Sequence, residues 1–232
     1  MATEQQVPQA SAPARTARQR ARRRRILDAA TTLAASGGFD AVQMREVADT
    51  SQVALGTLYR YFPSKVHLLI GVLQDQLRQL HSTLRERPLT ERDPGDRLYR
   101  TLMRAFRAHQ REPRLAEAMM RALLFADRSA REEVREVSRL TTEILLDATA
   151  LPVEEVPGRL SAVRVVQHTW HSALISWLSG NATLEEAHTD IATACRLLAD
   201  GGRTDSGGPV DGGSPVDGGS PVDGEQRPDG TG

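Results

Sequence analysis

Cysteine is almost absent from this 232-residue chain. Cys195 stands alone, which excludes an intrachain disulfide and any multi-cysteine metal site. Aromatic residues are scarce as well: four Phe, three Tyr and two Trp suit one elongated helical protein of two modules, not a large independent second core. No run of about 18 apolar residues and no signal-like apolar segment occurs, so a soluble, cytoplasmic protein without a membrane partner is expected. No segment alternates with period two for long enough to argue a strand. Lysine is nearly missing, Lys65 being the single one among thirty cations. Catalytic patterns are missing too. Gly37-Gly38 lies at a helix end without a phosphate-loop motif. His168 and His171 have a chelating i, i+3 spacing, but no carboxylate or Cys on that face completes a site. Cys195, between Ile191 and Leu198 on its helical face, reads as an inert buried thiol. The expectation is an all-α protein that is not an enzyme and needs no metal or cofactor.

The charge that is present is unevenly placed. Formal net charge is zero, yet residues 1–65 hold ten Lys/Arg against five acids, an excess of +5 that leaves −5 for the remainder. The basic footprint is therefore N-terminal. Residues 1–17 show no apolar period and read as a disordered basic arm. Residues 18–69 read as a DNA-binding head and residues 70–200 as a helical effector-binding and dimerisation domain. Residues 201–232 repeat Asp-Gly-Gly-Ser-Pro-Val and read as a disordered tail. Within the ordered part, helices are expected over 18–36, 64–87, 93–111, 113–125, 128–150, 157–179 and 184–199.

The head carries the strongest signal. Met44, Val47 and Ala48 form one helical face, and Val53, Leu58 and Phe62 form another after a turn of three or four residues, which is a helix-turn-helix. On the second helix Thr57, Tyr59, Arg60 and Tyr61 face outward, and Gly56 has no side chain to hold a phosphate away. Leu55 stands where a thymine methyl is within reach. Arg20, Arg22 and Arg23, just before the head, suit phosphate or minor-groove contact. Four consecutive arginines from Arg22 to Arg25 point in all directions, so not all of them reach one DNA backbone. A merely solubilising or RNA-binding arm is the alternative.

At Gly56-Thr57-Leu58-Tyr59-Arg60-Tyr61-Phe62-Pro63-Ser64-Lys65 the chain resembles the TetR family of bacterial transcriptional repressors. The resemblance implies a helix N-cap at Ser64, phosphate contact by Lys65 and a role for Arg45. Three positions depart from the family pattern. Gln43 stands for a usual capping Thr, Gln52 for a turn Gly and Ala54 for a capping Ser. Val42-Gln43-Met44-Arg45, Glu117-Ala118-Met119 and Phe125-Ala126-Asp127 are similar to the KstR-type subgroup, repressors of steroid catabolism in actinobacteria.

Two further patterns concern the body. Leu160, Val163, Gln167, Trp170, Leu174 and Trp177 form one heptad-like seam, and Leu184, His188, Ile191, Cys195 and Leu198 form a second. On pattern alone such seams face either the chain's own body or a second copy. The resemblance favours a homodimer built on Leu160, Val163, Trp177, Leu184, Ile191, Cys195 and Leu198, as a palindromic operator requires. Leu98, Leu102, Met103 and Phe106, with Met119, Met120, Leu123, Leu124, Phe125, Trp170 and Leu174, form either ordinary core or the wall of an apolar cavity. Beside them runs an arginine stripe of Arg97, Arg100, Arg104, Arg107 and Arg111, which is either a solvated face or a partner for anionic groups. The resemblance implies a hydrophobic effector, a sterol-derived acyl-CoA in the steroid subgroup. The competing readings are a repressor of efflux or fatty-acid genes and a nucleic-acid-associated scaffold without a ligand.

Overall fold

The computed structural model describes residues 12–152 and 154–200, and every regular element among them is helical. α1 (Ala12–Ala41) starts ahead of Arg18, so residues 12–17 are helix and not part of a disordered arm. Ala and Arg in this stretch are strong helix formers, and Pro13 is tolerated in a first turn. Residues 1–11 and the repeat tail 201–232 lie outside the described residues. α1 buries Ile26, Leu27, Ala30 and Ala34. It breaks at Gly37-Gly38, where Gly38 takes φ +71°, and one more turn carries Phe39 inward.

α2 (Met44–Ser51) and α3 (Leu55–Tyr61) close the head around Val47, Ala48, Val53, Leu58 and Phe62. Their turn pivots on Gln52, which sits in the left-handed region at φ 55°, ψ 45°. Its N–H donates to the Asp49 carbonyl at 3.1 Å, and the Val53 N–H donates to the Ala48 carbonyl at 3.0 Å. Gln43 and Ala54 occupy the two N-caps, and neither caps through its side chain.

α4 (Lys65–Glu86) runs from head to body as one helix. Ser64 caps it, accepting from the His67 N–H at 3.4 Å. The helix is apolar all round near Leu68 to Leu73, because it passes through the centre of the molecule. Gly71 is required there by packing: a Cβ would stand 2.7 Å from the Phe62 ring. Around α4 stand α5 (Pro94–Arg111), α6 (Pro113–Leu124) and α7 (Arg131–Thr149), the last preceded by a 3-10 turn at Arg128–Ala130. Gln74 Nε2 donates to the Glu133 carbonyl at 3.0 Å, tying α4 to α7. α8 (Val156–Leu178) and α9 (Leu184–Asp200) form a hairpin whose turn ends in a capping box. There the Thr183 N–H donates to Glu186 Oε2 at 2.7 Å and the Glu186 N–H to Thr183 Oγ1 at 3.2 Å.

The body is thus all-α and larger than the head. Its centre is Phe106, fully buried, with ring centroids of Trp177, His188 and Trp170 at 5.2, 5.5 and 5.6 Å. Such ring pairs add about 0.5–1.5 kcal/mol each beyond area burial. The left-handed Gln52 should be a correctable strain: Gln52→Gly is expected to stabilise the fold by about 0.5–1 kcal/mol, the relief exceeding the added entropy of the unfolded chain. A melting temperature raised by about 2 °C in calorimetry checks it.

Candidate DNA interface and effector cavities

α3 is pinned from behind by Leu58 and Phe62, and this orientation decides what faces outward. Tyr59 is 46 % exposed, Arg60 is exposed, and Leu55, Thr57 and Tyr61 are half-buried. Arg60 Nη2 donates to Thr57 Oγ1 at 3.1 Å, so the guanidinium lies along the helix surface. Tyr61 turns back, its hydroxyl donating to the Gln19 carbonyl of α1 at 3.5 Å. A Cβ added at Gly56 would meet nothing within 4 Å. Neither packing nor backbone in this chain therefore asks for glycine there. Arg45, in the first turn of α2, is also exposed.

The basic residues divide into free and engaged. Arg20 is exposed and Arg22 half-buried. Arg23 lies with its guanidinium 5.5 Å from the Phe62 ring centroid, and burial, with Arg78 nearby, lowers its pKa. Arg24 pairs with Asp28 at 2.9 Å and with Asp75 at 3.4 Å. Lys65 turns inward as well: Nζ donates to the Phe39 carbonyl at 3.1 Å and lies 4.2 Å from the Phe39 ring centroid. Lys65 and Arg23 thus hold the head together in the free protein, where the sequence pointed both at DNA. The candidate residues that do not turn inward are Arg20, Arg22, Arg45, Leu55, Gly56, Thr57, Tyr59 and Arg60.

The expected apolar cavity is rearranged. Met103, Phe106, Met120, Trp170 and Leu174 are packed core, each at most 7 % exposed. Leu124 and Phe125 are 66 % and 56 % exposed, Leu123 half-buried, because α6 ends there and its last turn leaves the core. One cavity of about 440 Å³ does lie beside α5, between it, α4 and the start of α6. Leu73, Leu77, Leu80, Leu115 and Met119 supply its apolar wall, while Arg104 and Arg111 from the arginine stripe stand among its polar lining. The rest of the stripe is engaged elsewhere: Arg97 with the Ala148 carbonyl, Arg100 with Glu91 and Arg107 with the Met103 carbonyl. A second cavity, of about 480 Å³, opens between the far end of α4, the start of α5 and the end of α7. Of the residues singled out in the sequence only Arg97 reaches it, since Thr101 and Ile144 come from helices whose pairing no periodicity announces.

The seams of α8 and α9 resolve mainly inward. Val163, Ile191, Cys195 and Leu198 are each at most 4 % exposed inside the single chain, and Trp177 is half-buried against Phe106. These side chains fill their own protomer. The apolar atoms left on the outer face are Val165 and Leu197, 61 % and 68 % exposed, with Leu160 at 40 %; Leu184, at 38 %, opens beside Tyr99 and His188. Burial pushes the Cys195 thiol up to about 12, as suits an inert side chain. Beside the first cavity, burial and then the neighbouring His171 push His109 down to about 4, so it is neutral near pH 7. Among the described residues no group of three or more His, Cys, Asp or Glu is placed to hold a metal, and no helix is long and apolar enough to cross a membrane.

A helix-turn-helix head on a helical body with open cavities between its helices defines a DNA-binding regulator of the one-chain sensor type. Comparison with known proteins is specific on this point. Residues 26–72 match the model of bacterial regulatory proteins of the tetR family, and residues 92–198 match that of the Tetracyclin repressor-like C-terminal domain. The chain belongs to the TetR family of ligand-responsive transcriptional repressors, which are DNA-binding proteins and not enzymes. Among curated relatives it is 43 % identical over 190 residues to the HTH-type transcriptional repressor KstR of Rhodococcus jostii, covering 80 % of this chain and 86 % of that protein. A solved TetR transcriptional regulator from Rhodococcus sp. RHA1 superposes with TM-score 0.68 at 38 % identity, covering 78 % of this chain and 97 % of that one. FadR from Bacillus subtilis, solved in complex with stearoyl-CoA, shares the fold at TM-score 0.57 and 20 % identity, over 77 % of this chain and 98 % of that one.

Gly56→Ala separates folding from DNA contact. Removing a helical glycine is expected to stabilise the free protein by about 0.5–1 kcal/mol. Operator affinity should nevertheless fall, since the methyl occupies the approach of the DNA backbone; denaturant melts paired with binding titrations check both. A second expectation concerns acid. His109 has a folded pKa of about 4, below the usual value of 6.5, so its contribution is intact above pH 6.5 and lost as pH falls toward 4. His109→Gln should flatten the stability profile over that window by about 2 kcal/mol, as read from denaturant melts at successive pH values.

Proposed function

We propose that the protein is a homodimeric repressor that binds a palindromic operator through α3 and is released by a hydrophobic effector held in the body. The observation that carries this reading is the α3 surface: Thr57, Tyr59 and Arg60 stand outward around a glycine that the fold itself does not need. Tyr59 and the arginines Arg20, Arg22 and Arg45 serve phosphates, while Leu55, Thr57 and Arg60 are where base edges are within reach. Lys65 contributes by fixing the α1 end against α4, so that both elements meet the backbone in register. Two copies would pair through the outer face of the α8–α9 hairpin around Val165 and Leu197, which places two α3 helices for successive major grooves.

The effector reading is finer. Likeness to the KstR repressors along most of the chain supports a ligand from steroid catabolism. The first cavity supports an acyl-CoA thioester, with leucines for the apolar acyl part and Arg104 and Arg111 for the anionic CoA. The shared fold with FadR proteins solved with stearoyl-CoA and lauroyl-CoA keeps a fatty acyl-CoA as the second reading.

Three outcomes are expected. DNA pulled down by the purified protein and sequenced yields a palindrome beside steroid-degrading genes, and a sterol-derived acyl-CoA releases it in a gel shift at lower concentration than stearoyl-CoA. Ala108→Trp, which narrows the first cavity from an exposed position, raises the releasing concentration without changing ligand-free operator affinity. Charging the outer hairpin face with Val165→Glu and Leu197→Glu gives helical monomers in light scattering, because an unpaired buried charge costs several kcal/mol. Release by neither thioester would remove the effector reading and leave DNA binding standing.

A further inference from the structure

We propose that the second cavity binds an amphipathic monocarboxylic acid, its carboxylate held by Thr101 and Arg97 and its apolar body lying against Leu84, Leu89, Ile144 and Leu151. At about 480 Å³ the space falls within the usual range of small-molecule sites, and its wall is mainly aliphatic. One polar group in it is unanswered, and a second has no charged partner. Thr101 is 1 % exposed, and among the described residues its Oγ1 has no hydrogen-bond partner. Helical threonines elsewhere in the chain escape this cost by donating to the carbonyl four residues back, as Thr31, Thr83, Thr141 and Thr169 do. Thr101 does not, so its hydroxyl is left without a partner on a residue that lines the cavity.

Arg97 lies one helical turn before Thr101 on the same face of α5. Its Nε donates to the Ala148 carbonyl at 2.8 Å, and among the described residues it has no carboxylate partner. The neighbouring cation and anion are already matched: Asp147 takes Arg85 at 2.9 Å and His81 at 2.7 Å. One guanidinium without a carboxylate partner beside one unpaired hydroxyl, both among the described residues and at the edge of an aliphatic hollow, asks for a single anion attached to an apolar body. A cationic ligand is repelled by Arg97. A CoA thioester brings several phosphate charges that a single free cation does not answer, which separates this site from the first cavity; the two share no lining residue. The inference is therefore independent of the acyl-CoA reading.

The test uses the full chain and cis-parinaric acid, whose fluorescence rises on entering an apolar site, against its methyl ester. The acid is expected to bind at least about tenfold more tightly than the ester. Thr101→Val should weaken the acid about tenfold while leaving the ligand-free melting temperature unchanged or higher, since it removes an unsatisfied buried hydroxyl without changing shape. Arg97→Gln should abolish the preference for acid over ester. Displacement by stearic acid against 5β-cholanic acid tells a chain acid from a sterol acid. Equal binding of acid and ester, no binding of either, or acid binding unaffected by Thr101→Val overturns the proposal. So does loss of acid binding in Ala108→Trp, which would move the acid to the first cavity. Failure of thioesters to release DNA touches only the effector reading above.

Discussion

Phe39 is where head and body meet, and the placement of the recognition helix depends on what holds that ring. It sits on the last turn of α1, positioned by the left-handed Gly38, and is 8 % exposed. Lys65 of α4 lies over it at 4.2 Å from the centroid, Arg121 of α6 at 4.8 Å, and the Phe125 ring meets it edge-on at 5.6 Å. Around the ring, Arg121 pairs with Asp40 at 3.1 Å and Arg114 donates to the Ser36 carbonyl. Cation–π contacts are worth about 0.5–1 kcal/mol at exposed sites and about 2 when desolvated, so two on one half-enclosed ring are a substantial clamp. The consequence is that the head is held by α6 as well as by the continuous α4.

That double attachment gives the cavities something to act on. Leu115, Ala116 and Met119 of α6 form one wall of the first cavity, while Arg114 and Arg121 of the same helix hold the end of α1. α4 borders the same cavity through Leu73, Leu77 and Leu80, and its first residue is the lysine over Phe39. A ligand that separates α4 from α6 strains the clamp from both sides. The second cavity touches α4 only near its far end, at His81, Leu84 and Arg85, beyond the Gln74 bond that anchors the helix to α7. Occupancy there bears on how α4 leans against α7 and leaves the α6 clamp alone.

The head was largely legible in the sequence because local rules set it. Apolar spacing gave α2 and α3, while the family resemblance marked Ser64 as an N-cap and Gln52 as standing for a turn Gly, and Gln52 sits left-handed at φ 55°. Phe39 was not legible as a hub, since its partners come from three helices and no spacing brings Arg121 to Asp40. The intrachain partners of Lys65 and Arg23 were not legible for a related reason: each cation lies over an aromatic ring of the head, a contact that no spacing announces. In the body, methionine content pointed to α5 and α6, and of the methionines named only Met119 reaches the first cavity. Met103 and Met120 satisfy the core, while the hollows open where smaller or shorter residues such as Ala105, Ala108 and Thr101 leave neighbouring helices apart. Which helical stripe faces its own chain and which a second copy is a tertiary question. Val163 and Leu198 answer it inward, and Val165 and Leu197 lie two residues and one residue away on the outer side.

A release mechanism must also satisfy the energetics of switching. Moving a two-state equilibrium from 1:99 to 99:1 takes about 5.5 kcal/mol of differential binding. In the proposed dimer two effector sites share that requirement, so each needs about a hundredfold preference for the released state, about 2.7 kcal/mol. The contacts at one Phe39 joint, two cation–π interactions and an exposed ion pair, are of the same order. Clamp and effector are therefore matched in strength. A much stronger joint would hold the heads on DNA whatever the ligand did, and a much weaker one would leave them misaligned before any ligand arrived.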